Sequence, residues 1–298
     1  MPYLIFVTFL WAFSFPLIGY FISGQMDVNF AAFFRVFLAF LIFLPFLNFK
    51  IKNSFKFKLM GIGALQIGIM YLCYYRAFAF LSVSEVALFT IFTPFYVSLI
   101  YDLFSKRFRA WYILSILLCV LGAAILKYGK INADFLIGFL WVQGANFVFG
   151  AGQSLYKFLM EKNKTVKDIN IFGYFHLGAM IVTGITFLII GDFNNLPKTF
   201  SSWAVLIYLG IVASGIGYLL WNKGAVLVDS GFLAIMNNAL IPAAILVDLI
   251  FYYAGFSKAQ NIFETLGYFK ISTGIFLMGL SLWVHQKIIN YYDKIKQV

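Results

Sequence analysis

Ten apolar stretches, each about twenty residues long and separated by short polar breaks, occupy this chain almost from end to end. A bilayer core is crossed by roughly 20 apolar residues of helix. Lipid admits only helices or closed barrels, because every backbone polar group must be satisfied within the protein. The stretches lie near residues 3–22, 30–49, 58–81, 84–104, 109–127, 135–159, 168–190, 201–223, 230–251 and 265–288. They are too long and too uniformly apolar for barrel strands, which alternate over about 10 residues. The mean hydropathy of +0.92 and the hydrophobic content of 63% leave no room for a soluble domain. The expected fold is an all-α membrane protein with ten transmembrane helices. The first stretch should remain as a membrane helix, since Met1-Pro2-Tyr3-Leu4 offers no basic start and no small-residue cleavage site follows.

The net charge of +11 invites a nucleic-acid reading, which its distribution contradicts. With the first helix starting in the cytoplasm, 15 Lys and Arg residues fall on that side and 4 on the other. Cytoplasmic loops of membrane proteins carry such an excess, so both termini should be cytoplasmic. The partners expected are a lipid bilayer and a small solute, and no nucleic acid. Cys73 and Cys119 both lie inside apolar stretches, where cysteine behaves as a small hydrophobe.

The chain also reads as two related halves. Ala77-x4-Ser82-x11-Pro94 recurs as Ala225-x4-Ser230-x11-Pro242, an offset close to half the length. In both copies an apolar stretch ends, a turn follows at the serine, and a new stretch carries a proline about three turns in. Weaker matches pair Phe33-Phe34-Arg35 with Tyr174-Phe175-His176, and Ala12–Phe15 with Gly144–Phe147. Residues 1–130 and 131–298 are therefore expected to form two five-helix repeats within a single membrane domain. An odd number of crossings inserts the second repeat upside down relative to the first. Inverted repeats with a substrate site near the midplane are a signature of secondary transporters.

At these residues the sequence resembles the drug/metabolite transporter superfamily, in its EamA-type ten-helix form. The resemblance is carried by Trp11-Ala12-Phe13-Ser14-Phe15, Phe34-Arg35 and Tyr74-Tyr75-Arg76-Ala77 running to Pro94. It continues in Tyr208-Leu209-Gly210 and in Tyr218-Leu219-Leu220-Trp221 running to Pro242. It implies a cavity formed by the first four helices of each half, and small organic metabolites such as amino acids as substrates, exported across the cell (inner) membrane. A Gly-Glu pair frequent in the family is missing: its two places read Phe104-Ser105-Lys106-Arg107 and Gly255-Phe256.

Charged groups inside a membrane span are expensive, so they face a cavity, pair, or both. Arg35, Arg76 and Glu85 fall at similar depth, so an Arg–Glu–Arg cluster is geometrically allowed. It would be either a structural ion pair or a clamp for a substrate carboxylate, for which a guanidinium offers a planar fork of donors. Asp248, within the ninth stretch, is the best candidate for a proton-binding carboxylate. His176, the mate of Arg35, is either a proton relay or a packing residue. Arg76 and Glu85 are the candidate gating charges. The candidate substrate-binding set is Arg35, Trp11, Ser14, Tyr74, Asn146, Trp221, Asn237 and Asn238. Pro94 and Pro242 each free a carbonyl four residues back, at Thr90 and Asn238, and are candidate hinges for alternating access.

No P-loop, H-E-x-x-H, G-x-S-x-G or cysteine ligand set occurs, and His176 and His285 lie far apart in the chain. No cofactor, metal or enzymatic activity is expected, and the driving energy must come from a gradient. The rival readings are an uncoupled facilitator or channel, which would be expected to show a filter or ring of charge, and a membrane-embedded transferase, which would want clustered acids. Leu121–Ala124 and Gly274–Gly279 suit helix packing or a homodimer.

Overall fold

A computed structural model describes residues 2–106 and 133–256, with scattered positions in 107–132 and 257–298. Among the described residues all regular structure is helical, and eight helices are long and apolar enough to cross a membrane. They are α1 (Pro2–Phe21), α2 (Val28–Phe46), α3 (Asn53–Ala77), α4 (Glu85–Ser105), α5 (Asp134–Glu161), α6 (Phe172–Ile190), α7 (Phe200–Val226) and α8 (Ser230–Tyr253). These match the first to fourth and sixth to ninth apolar stretches. The fifth and tenth stretches are described only at scattered positions; Cys119, Lys270, His285, residues 122–124 and part of Gly274–Gly279 lie outside the described residues.

The helix starts are set by local chemistry. Asp27 accepts from the Phe30 N–H at the start of α2, Thr199 from the Ser202 N–H at the start of α7, and Asp229 from the Gly231 and Phe232 N–H groups at the start of α8. These side chains satisfy donors that the first helical turn leaves open. Before α4, Ser82 and Glu85 form a reciprocal capping box: Glu85 accepts from the Ser82 N–H at 2.8 Å, and Ser82 Oγ accepts from the Glu85 N–H at 3.4 Å. The start of α3 precedes the apolar stretch by one polar turn, Asn53–Lys58, in which Lys56 Nζ reaches back to the Phe49 carbonyl at 2.9 Å. Hydropathy alone does not register such a turn.

Four of the eight helices are irregular in their interior, and α2 closes on a 3₁₀ turn at Leu44–Phe46. Pro16 cannot donate to the Ala12 carbonyl, and α1 is interrupted at Phe13 between Pro2–Ala12 and Ser14–Phe21. A 3₁₀ turn at Thr90–Phe92 precedes Pro94 in α4. π-helical turns occupy Ala64–Ile69 in α3 and Tyr208–Ile216 in α7. Such turns gather at functional sites because they break the regular hydrogen-bond register. Pro242, by contrast, sits within an uninterrupted α8.

Helix α2 packs on α6 and α7, α3 on α5 and α6, α4 on α5 and α8, and α1 on α7 and α8. Close approach depends on glycine, as expected where lipid supplies no hydrophobic drive and van der Waals contact must hold helices together. A Cβ on Gly63 would lie 1.8 Å from the Phe175 carbonyl oxygen, and one on Gly178 would lie 1.9 Å from that of Met60. The two glycines thus let the backbones of α3 and α6 touch reciprocally. Lys157, only 2% exposed on α5, donates to the Ala225 carbonyl at 2.9 Å and to that of Val228, and pairs with Glu161 at 2.8 Å. It closes the end of α7, where the last carbonyls lack helical partners.

Gly178→Ala should lower the unfolding free energy by about 1–3 kcal/mol through overpacking. Gly61→Ala, with nothing within 4 Å of its Cβ position, should be neutral. Thermal unfolding of the purified variants in detergent checks both; equal midpoints for the two would refute the backbone-contact account.

A candidate substrate cavity around Arg35

One cavity is lined by residues of α1–α5, α7 and α8, among them Ser14 beside the break in α1 and Thr90 in the 3₁₀ turn of α4. Arg35, on α2, lines it and is 2% exposed. Its Nε donates to the Leu209 carbonyl at 3.0 Å and to Ser214 Oγ at 2.5 Å, both in the π-helical turn of α7. Its Nη1 donates to the Tyr75 hydroxyl at 3.3 Å, and its Cζ stands 4.1 Å from the centre of the Tyr71 ring. Tyr71 also shares a 2.9 Å hydrogen bond with Ser214. A buried guanidinium has to be compensated, and here neutral dipoles and a π face do it. Among the described residues no carboxylate lies within ion-pair distance of Arg35. The site therefore keeps a net positive charge facing the cavity.

Trp11 stands just before the break in α1. Its Nε1 donates to the Ala213 carbonyl at 2.8 Å, again within the α7 π turn, and its ring packs 4.9 Å from Trp221 and 4.8 Å from Tyr218. Trp221 is held in turn by Gln153, at 2.9 Å. Tyr74 packs edge-on to Phe15 at 5.8 Å. On the wall built from α4, α5 and α8, Asn146 donates to the Phe89 carbonyl at 2.7 Å and Asn238 to the Ile91 carbonyl at 3.1 Å. These side chains satisfy α4 where it loses its regular turn ahead of Pro94.

Of the substrate-binding candidates, Arg35, Trp11, Ser14 and Tyr74 line this cavity together with Asn146, Trp221 and Asn237. Asn238 lies behind the lining, fully buried against α4. The structure does not bring the three outer charges together as one cluster around Arg35. Arg76 reaches Asn29 at 3.4 Å and the Trp141 ring at 5.2 Å, and Glu85 serves the capping box of α4. Asp248, 4% exposed, accepts from the Tyr20 hydroxyl away from the lining. His176 is fully buried; it stacks on Phe43 at 5.5 Å and meets Phe172 edge-on at 5.1 Å. Among the described residues neither of its ring nitrogens has a hydrogen-bond partner. Sequence reasoning missed Tyr71, Tyr218 and Ser214. The i, i+3 spacing of Tyr71 with Tyr74, and of Tyr218 with Trp221, put each pair on one helix face and was a usable signal. Ser214 left none, since its role depends on a π turn.

A mostly apolar cavity with few convergent polar groups and one buried cation, inside membrane-length helices, defines the class: a multi-pass membrane protein that handles a small solute. The comparisons with known proteins agree. Residues 1–128 match the model of the EamA-like transporter family. A protein of Salmonella typhimurium named "Biotin transporter" is 43% identical over 96% of this chain and 93% of its own length. A protein of the same name from Escherichia coli gives the same figures, and a "Probable biotin transporter" of Pseudomonas aeruginosa is 46% identical over 84% of this chain and 88% of its own. A crystal structure with 13% identity superposes with a TM-score of 0.70 over 97% of both chains, which shows the fold. The chain belongs to the EamA-like transporter family, within the drug/metabolite transporter superfamily. It is a small-metabolite transporter and not an enzyme.

Arg35→Ala should abolish solute flux in proteoliposomes while the protein still inserts. Arg35→Lys should lose about tenfold or more, because a point charge on a flexible stem cannot reproduce the fork held by Leu209, Ser214 and Tyr75. Full activity in either variant would show that the cation does not serve the solute.

Proposed function

We propose that this chain carries biotin, or a monocarboxylate built like it, across the cell (inner) membrane by alternating access. The observation that carries the reading is the nearly full-length similarity, at 43% identity, to proteins named biotin transporters. The chemistry of the cavity lining supports the reading. Biotin has one carboxylate on a saturated chain and a fused ring system at the other end. Arg35 supplies a buried cation with no carboxylate beside it among the described residues, and Trp11, Phe15 and Trp221 supply apolar walls. The amino-acid export implied by the family resemblance gains no support from these relatives.

The transport architecture belongs to the same proposal: ten helices, two inverted repeats over 1–130 and 131–298, and both termini in the cytoplasm. Several features support it. The family model matches residues 1–128, the first of the two halves. Each half carries one π-helical turn, in α3 and α7. The helix contacts also survive exchange of α1–α4 with α5–α8: α2 against α7 matches α6 against α3, α1 against α8 matches α5 against α4, and α1 against α7 matches α5 against α3. The breaks in α1 and α4, beside the cavity, are the hinges in this reading, with Pro94 at one of them. Pro242 provides a fixed bend in α8. Asp248, a buried carboxylate whose Tyr20 partner is uncharged, takes the proton that couples transport to a pH gradient.

The test is uptake of labelled biotin into proteoliposomes with and without a pH gradient. Saturable flux that the gradient drives is expected. Asp248→Asn should remove the response to the gradient and leave biotin exchange at equal pH intact. Saturable flux indifferent to the gradient would make the protein a facilitator, and flux that does not saturate would make it a channel.

A further inference from the structure

The wall built from α4, α5 and α8 carries a second polar set that Arg35 does not explain. Asn146 donates its amide nitrogen to the Phe89 carbonyl at 2.7 Å, and Asn237 donates its own to the Leu233 carbonyl at 2.8 Å. Those bonds fix which way each amide faces. Among the described residues no donor reaches the Oδ1 of either one. Both residues line the cavity, so each contributes an unused acceptor to it.

Ser14, at the break in α1, adds a hydroxyl. It is 7% exposed, lines the cavity, and its Oγ has no partner among the described residues. A helical Ser or Thr ordinarily bonds the carbonyl four residues back, as Thr8 does to Leu4 at 2.9 Å and Thr183 to Ala179 at 2.9 Å. For Ser14 that carbonyl is Leu10, and the Tyr208 hydroxyl takes it at 3.3 Å. A buried hydroxyl left unmatched is unfavourable by about 1–3 kcal/mol, and the cavity is where it can be satisfied.

We propose that Asn146, Asn237 and Ser14 form a head-group subsite for an uncharged ring bearing two N–H donors and a carbonyl, a cyclic urea. The two amide oxygens accept from the ring N–H groups, and the Ser14 hydroxyl donates to the ring carbonyl. Arg35, on α2 and held by α3 and α7, takes the carboxylate, and the aromatic groups of Trp11 and Phe149 enclose the aliphatic link. The solute is thereby selected at both ends. This assignment rests on the reading of biotin-like substrates, and it adds the polar chemistry that a plain fatty carboxylate would leave unpaired.

The experiment is binding to the purified full chain, followed by the fluorescence of Trp11 and Trp221, which line the cavity. The probes are biotin, its desulfurised analogue that keeps the cyclic urea, and nonanoate, an unbranched carboxylate without a head. In the unaltered protein biotin and its analogue should bind comparably, and nonanoate about 100-fold more weakly, as the loss of two or more buried hydrogen bonds requires. Ser14→Ala breaks no bond within the protein; it should raise the biotin Kd about tenfold and leave that of nonanoate unchanged. Nonanoate binding as tightly as biotin, or a biotin Kd unmoved by Ser14→Ala, would overturn the subsite while the carrier reading stands. Biotin bound with the expected pattern but not moved across vesicles would overturn the carrier reading and leave the subsite. Biotin neither bound nor moved would overturn both.

Discussion

A guanidinium deep inside a membrane protein is tolerated only where enough dipoles converge on it, and most of the cavity follows from how Arg35 is accommodated. Its hydrogen bonds end on the Leu209 carbonyl and Ser214 of α7 and on Tyr75 of α3, with Tyr71 beneath it. A regular α7 would use the Leu209 carbonyl within its own ladder. The π turn over Tyr208–Ile216 breaks that register and leaves carbonyls for outside donors, so Arg35 and the Trp11 indole both find acceptors there. Because neutral groups perform the compensation, the charge remains available to an anion.

The same principle of freed backbone and borrowed side chain recurs around the cavity. Ahead of Pro94 the amides of Asn146 and Asn238 satisfy carbonyls of α4. Elsewhere the helices are held rigidly. Gly63 and Gly178 bring α3 and α6 into backbone contact, and Lys157 seals the end of α7. The broken turns of α1 and α4 contribute Ser14 and Thr90 to the cavity lining, whereas Gly63, Gly178 and Lys157 take no part in it. That division suits a carrier in which packed helices move as units about a few broken turns.

The membrane helices were legible because hydropathy over about twenty residues is a strong signal, and α1 to α8 fall within a few residues of the apolar stretches. The start of α3 was displaced because a polar first turn does not register in hydropathy. Arg35, Trp11, Trp221 and Asn146 were legible as cavity residues because polar and amphipathic groups in a span demand a partner or a space. The outer Arg–Glu–Arg arrangement stayed open in the sequence because depth along a helix fixes one coordinate only. Rotation about the axis sends Arg76 toward Trp141, and a capping box engages Glu85. Ser214 and the Leu209 carbonyl were invisible in the sequence, since π turns have no compositional signature.

The partners of Arg35 also carry a consequence for how the protein is made. Leu209 and Ser214 lie 174 and 179 residues further along the chain, whereas Tyr75 is only 40 residues away. During synthesis α2 enters the bilayer with its cation served at best by the tyrosines of α3, long before α7 exists. A lone arginine at a helix centre disfavours insertion by about 2.5–3.5 kcal/mol. The first half is thus a biosynthetic intermediate that is stabilised retroactively, when the second half delivers its π turn. The residue that gives the cavity its charge also ties the two halves into one assembly event.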